Sequence, residues 1–128
     1  AMKTARYGRV VLIASRAMLG LARRTAYAAT KAGMVGLART WALELGSHGV
    51  TVNVVAPGPI EETEMYDLVL GDDQERRARL AKSIPVGRVG RPDDVARAVS
   101  FFVAPANSFV TGQTLFVCGG ASVGSLTI

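Results

Sequence analysis

The stretch Thr25 to Gly49, TAYAATKAGMVGLARTWALELGSHG, constrains the fold more than any other part of the chain. Its Ala, Leu, Met and Arg residues favour helix. Thr25 can serve as N-cap, because its hydroxyl can accept an orphan backbone N–H. Gly49 is a natural stop in the left-handed conformation, just before the apolar run that opens at Val50. Between Ala26 and Leu45 the strongly polar side chains are confined to Thr30, Lys31, Arg39, Thr40 and Glu44. That stripe is too narrow for a helix with one face in water, so burial on two sides is expected. One face should lie on a sheet and another against a second helix, which another subunit can provide.

Tyr27 and Lys31 lie at i and i+4 on this helix and therefore share a face. An ammonium near a phenol favours the phenolate and draws the tyrosine below its ordinary pKa of about 10. Such a phenol can give or take a proton near neutral pH. Taken alone, Tyr-x-x-x-Lys is a weak signal, and its meaning depends on what surrounds it.

The flanking runs supply that context. Gly8 introduces Arg9-Val-Val-Leu-Ile-Ala14, apolar on both alternating faces as a central parallel strand is, and Ser15 ends it. Arg16 to Arg24 has no clear period and reads as a loop. Val50 to Ala56 is a second β-branched run, halted by Pro57-Gly58-Pro59. A strand, a long helix and a strand in this order imply parallel strands joined by a right-handed crossover. Ile60 to Leu70 reads as a mobile loop or short helix. Asp72 or Asp73 can cap a helix running to about Ser83. Ile84 to Arg91 is a loop, and Pro92-Asp93-Asp94 starts another helix with acids at its positive end. Val95, Ala98, Val99 and Phe102 form its apolar face. Thr114 to Val117 is a third strand, and residues 121–128 form an irregular tail. The expected architecture is α/β, three parallel strands with helical crossovers. Ligands bind beyond the carboxyl ends of such strands. Ser15, the Pro57-Gly58 turn and Cys118-Gly119-Gly120 all fall there, with Tyr27 and Lys31 in the first turns of the following helix.

Composition narrows the function classes. The 128 residues form one domain that opens with a short lead-in at 1–7, and 49% hydrophobic content with 20% charged residues excludes disorder. Ala1-Met2 has the form of an added residue before a start methionine. The formal charge is +5, but the arginines are scattered and little interleaved with aromatics, which argues against a nucleic-acid partner. Cys118 is the only cysteine, so no internal disulfide forms, as fits a cytoplasmic protein. One His and one Cys rule out an ordinary structural zinc site, and no apolar run is long enough for a membrane span.

Five ordered segments resemble the short-chain dehydrogenase/reductase family, closest to its 3-oxoacyl-carrier-protein reductase-like group. They are Gly8 to Ser15, Tyr27-Ala-Ala-Thr-Lys31-Ala-Gly33, Val52-Asn53-Val-Val-Ala-Pro57-Gly58, Pro85 to Pro92, and Thr111 to Gly120. The resemblance runs from about Gly8 to Gly124 and implies the C-terminal half of a Rossmann-like doubly wound sheet. It further implies an NAD(P)-dependent oxidoreductase acting on a small carbonyl or alcohol substrate. Tyr27 would be the acid/base, Lys31 would lower its pKa and hold the nicotinamide ribose, and Ser15 would hydrogen-bond the substrate oxygen. The backbone from Pro57 to Ile60 would approach the nicotinamide, with Thr63 a weaker cofactor contact, since its loop is one residue longer than the usual pattern. Asn53 reads as a strand residue, His48 as a solvated helix end, and Trp41 as core or interface.

The family's glycine-rich phosphate cradle is missing, because no Gly-x-Gly-x-x-Gly follows a strand here. The residue that selects NAD or NADP and the family's catalytic Asn are missing too. Binding of either cofactor should be weakened accordingly. The strand at 9–14 becomes an open edge that invites pairing. A homo-oligomer, dimer or tetramer, is expected through helix 25–48, with that edge as a second surface. Two readings follow: an oxidoreductase impaired as this chain, or a non-catalytic, self-associating fragment.

Overall fold

The computed structural model describes residues 1–123; the rest of the expected tail lies outside them. Its centre is β2 (Val50–Pro57), whose residues are buried up to Ala56. Such a strand needs neighbours on both edges and cover on both faces, and it has them. β1 (Gly8–Ile13) pairs with it in parallel from Gly8 opposite Val50 to Ile13 opposite Val55. β3 (Thr114–Val117) pairs on the other edge, from Val54 opposite Thr114 to Pro57 opposite Val117. The order β1-β2-β3 leaves β1 as an edge strand among the described residues.

Alternation along β2 divides the core in two. Val50, Val52, Val54 and Ala56 pack with Ala38 and Ala42 of α2 (Thr25–Leu45). Val55 packs on the opposite face with Ala98 and Phe102 of α5 (Pro92–Val103). Helices on both faces of a parallel sheet make this a doubly wound α/β arrangement. A short α1 (Met2–Ala5) precedes β1. Two helices, α3 (Glu64–Leu70) and α4 (Gln74–Ser83), enclose a satellite cluster of Tyr66, Leu70, Ile84 and Val89.

Local signals account for most boundaries. Asp73 caps α4 by accepting the Arg76 N–H at 2.9 Å. Pro92 opens α5, where the Asp94 carboxylate accepts the Arg91 N–H at 2.9 Å. The segment at 60–70 is a loop followed by the short helix α3. Two expectations need correction. Thr25 is not the cap of α2: Arg24 holds that position and makes no side-chain cap bond, while Thr25 is already helical. The region at 16–24 is not wholly irregular, because Ser15 nucleates a 3-10 turn at Arg16–Leu19. Helix α2 is covered on its sheet side, where Ala38 and Ala42 are its buried residues, whereas Leu37, Trp41 and Leu43 are exposed.

After α2, a 3-10 turn (Gly46–His48) leads to Gly49 at φ +72°. A Cβ there would run into the Arg6 carbonyl oxygen. Gly49→Ala therefore combines left-handed strain with a backbone clash, and a loss of about 3 kcal/mol in stability is expected. Urea unfolding of the variant checks this; an unchanged midpoint would contradict it.

Candidate active site

The carboxyl ends of the strands open on a cleft of about 930 Å³. Ser15, Tyr27, Lys31, Pro57, Gly58, Ile60 and Thr63 all line it, although they come from separate segments of the chain.

Ser15 follows β1 after Ala14, in extended backbone at φ −163°. Its Oγ accepts the Ala17 N–H at 3.1 Å, which fixes the side chain at the cleft wall. That bond does not use the hydroxyl's own proton. Tyr27 is the third residue of α2 and is half-buried, with its Oη 3.8 Å from Met65 Sδ. One turn on, Lys31 Nζ donates to the Ile13 carbonyl at 2.9 Å and lies 5.8 Å from the centroid of the Tyr27 ring. The amine is thus tied to the end of β1 beside the phenol.

The floor depends on glycine at two points. Gly58 N–H donates to the Val117 carbonyl at 2.9 Å, extending the pairing of β2 with β3. A Cβ on Gly58 would come within 2.9 Å of the Cys118 Cα. Gly90 abuts Ile60: Gly90 N–H donates to the Pro59 carbonyl and Glu61 N–H donates to the Gly90 carbonyl, each at 2.9 Å. Thr63 caps α3, its Oγ1 accepting the Tyr66 N–H at 3.3 Å and donating to the Ile60 carbonyl at 2.8 Å. Its hydroxyl is committed to holding the wall. Asn53, fully buried, bridges the Val110 carbonyl and the Gln113 N–H at 2.9 and 3.0 Å, the work of a strand residue.

Cys118 and the Asp94–Arg88 pair behind the floor are perturbed. Burial pushes the Cys118 thiol up, but hydrogen bonds from the Ser122 side chain and from the backbone at Ser122, Gly120 and Ala121 outweigh it, leaving the thiol below its ordinary value. Asp94 accepts both Arg88 Nη1 and Nη2, at 2.7 and 3.2 Å, and the Arg91 N–H. The Arg88 hydrogen bonds first, then that of Arg91, hold its carboxyl well below the usual carboxylate range. A depressed folded-state pKa contributes stability that is complete above the unfolded value, about 4, and fades as pH falls through the folded one. Asp94→Asn is expected to lower stability at neutral pH and to flatten the acid-side loss below pH about 4. Thermal melts across that range check it, and parallel curves for the two proteins would refute it.

The cleft also contains residues that motif reading does not single out. Leu21, Met65, Val69 and Leu80 supply apolar wall, and Arg16, Arg76 and Arg79 supply charge. In the sequence Arg76 and Arg79 are legible only as an i, i+3 pair on the helix at 74–83, which says that they share a face but not what it looks onto. No group of three or more His, Cys, Asp or Glu that could hold a metal occurs among the described residues, and no helix there is long and apolar enough to cross a membrane.

Residues 1–122 match the profile of a family described as enoyl-(acyl carrier protein) reductase. The chain is 48% identical over 118 residues to the BbsD subunit of (2S)-[(R)-hydroxy(phenyl)methyl]succinyl-CoA dehydrogenase from Thauera aromatica, covering 92% of this chain and 46% of that protein. It is 45% identical over 120 residues to the 3-oxoacyl-[acyl-carrier-protein] reductase FabG of Vibrio harveyi, covering 93% and 48%. Among solved structures, a variant of the actinorhodin polyketide ketoreductase with NADPH superposes with a TM-score of 0.87 at 35% identity, over 96% of this chain and 50% of that one. The TT0495 protein of Thermus thermophilus does so with a TM-score of 0.82 at 32% identity, over 94% and 51%. The chain therefore spans about half the length of the relatives it matches.

Proposed function

Because the chain belongs to the short-chain dehydrogenase/reductase family and carries its C-terminal half, we propose that it furnishes the acid/base side of an NAD(P)-dependent oxidoreductase that interconverts a carbonyl and an alcohol. The observation that carries this reading is the convergence of Ser15, Tyr27 and Lys31 on one cleft at the carboxyl ends of β1 and β2. In the reducing direction Tyr27 Oη gives its proton to the carbonyl oxygen. Ser15 donates a hydrogen bond to the same oxygen as charge develops on it. Lys31, anchored on Ile13, puts a positive charge beside the phenolate left behind.

The residues fit the nicotinamide end of such a cofactor: Lys31 offers an ammonium donor, and the Pro57–Ile60 backbone forms a close-packed floor. Thr63 would meet a bound cofactor only from the wall, since its hydroxyl already bonds Ile60 and Tyr66. When bound, NAD(P)H supplies the hydride. The sequence holds no glycine-rich strand-to-helix turn to cradle the pyrophosphate, so the isolated chain is expected to bind either cofactor weakly and to show almost no turnover.

Supporting relatives include a ketoreductase solved with NADPH and a 3-oxoacyl-carrier-protein reductase. They favour a small carbonyl compound as substrate and the enzyme over a non-catalytic fragment. Association of copies through the outer side of α2 is part of the proposal, supported by Trp41 and Leu43 at 39% and 86% exposure. A free Cys118 supports a reducing compartment such as the cytoplasm.

The test is a chimera in which the first half of the Vibrio harveyi reductase is joined ahead of this chain. Carbonyl-dependent NADPH oxidation is expected from the chimera and not from the chain alone. A folded chimera that binds NADPH yet reduces no 3-oxoacyl thioester, ketoester or simple ketone would overturn the reading.

A further inference from the structure

The cleft wall has a one-sided charge. Its lining includes the cations Arg16, Lys31, Arg76 and Arg79 and not one Asp or Glu. Two of the four are already engaged: Lys31 on the Ile13 carbonyl and Arg16 on the Ala121 carbonyl at 3.1 Å. Arg79 pairs with Glu75 one turn back on α4, but both side chains are mostly exposed, and such a pair exchanges readily for a better partner. Among the described residues the Arg76 guanidinium has no hydrogen-bond or ion-pair partner. Asp67 pairs with Arg77 at 2.9 Å and Glu61 with Arg91 at 3.2 Å, and Asp73, the cap of α4, accepts the Arg76 backbone N–H rather than its guanidinium. Most of the remaining wall is apolar: Leu21, Met65 and Val69 remain 45%, 56% and 42% exposed.

We propose that the cleft selects ligands with an apolar body and a phosphate or carboxylate at one end, the anionic end being held by Arg76 and Arg79 on α4. Guanidinium groups match the planar, two-oxygen geometry of both anions. Apolar walls around them focus the field into the cleft. Tyr27 lies on α2 and the arginines on α4, so a ligand held at both places spans the cleft, and the anionic end sets which way a carbonyl faces the phenol. This extends the oxidoreductase reading to its substrate class, but binding needs neither cofactor nor turnover.

The experiment titrates isotope-labelled chain, without cofactor, with octyl phosphate, octanoate and the neutral ketone methyl hexyl ketone. The arginine Nε–Hε resonances are followed by NMR. At low salt both anions should shift Arg76 and Arg79 and bind about five-fold or more tightly than the ketone. The preference should collapse at about 0.5 M salt. The Arg76→Gln/Arg79→Gln double variant should bind the anions no better than the ketone, while Arg39→Gln, on α2 and away from the cleft, should change nothing. A response to only one anion still supports the proposal and names the end group. Equal affinity for anion and ketone, equal weakening by Arg39→Gln, or shifts of these arginines by NADPH alone would overturn it. An inactive chimera with anion selectivity intact would count against the oxidoreductase reading only.

Discussion

Tyr27→Phe in the chimeric reductase should lower carbonyl reduction by about a thousand-fold, in the middle of the range for losing a general acid. The substitution removes one oxygen, which approaches Met65 Sδ at 3.8 Å. Lys31 does not depend on that oxygen, because its ammonium is held by the Ile13 carbonyl. The cleft should keep its shape, and stability should change by no more than about 0.5 kcal/mol. NADPH affinity should likewise change little, so the loss should appear in turnover. Steady-state rates beside a cofactor titration make the comparison. A variant that retains more than about a tenth of the activity would remove Tyr27 from the acid/base role.

A second large effect, this time on stability, is expected at Asn53→Ala. Asn53 is fully buried in the central strand, on the side away from α2. Its amide donates to the Val110 carbonyl, and its carbonyl accepts the Gln113 N–H. Both partners belong to the connection that brings the chain back into β3, and the Thr111 hydroxyl and Gly112 N–H bond Val52 in the same place. Truncation would leave two part-buried backbone groups without these partners, at up to about 1–3 kcal/mol each. A loss of about 3 kcal/mol is a large part of a typical total of roughly 5–15 kcal/mol. Urea unfolding should show a lower midpoint with an unchanged slope, and the Gln113 amide should exchange faster with solvent. If that amide stays protected, the connection is held by something other than Asn53.

The placement of the proposed catalytic residues is legible in the chain from local signals, while their roles rest on the family resemblance. Ser15 follows an apolar run, Tyr27 and Lys31 share a helix face, and Pro57-Gly58 stops a second run. Once the strands are parallel, these signals fall at one end of the sheet. The cap of α2 is not legible in the same way. A Thr before a helical run is only a local preference, and the backbone here turns helical one residue earlier, after Arg24. The mixed segment at 60–70 has no period and leaves loop and helix open. Thr63 settles it by bonding Ile60 and the Tyr66 N–H together.

What the sequence determined by itself was the run of strands and helices, and the three polar groups beyond the strand ends, since hydrophobic period and strand-end position are local properties. Only the tertiary structure decided which residues would share a wall with them. Met65 meets Tyr27, Gly90 meets Ile60, and Arg76 and Arg79 face the cleft because α3 and α4 fold over the strand ends around Tyr66, Leu70 and Ile84. That packing joins residues tens of positions apart, and a spacing pattern within one helix gives its own faces but not the surface each one meets.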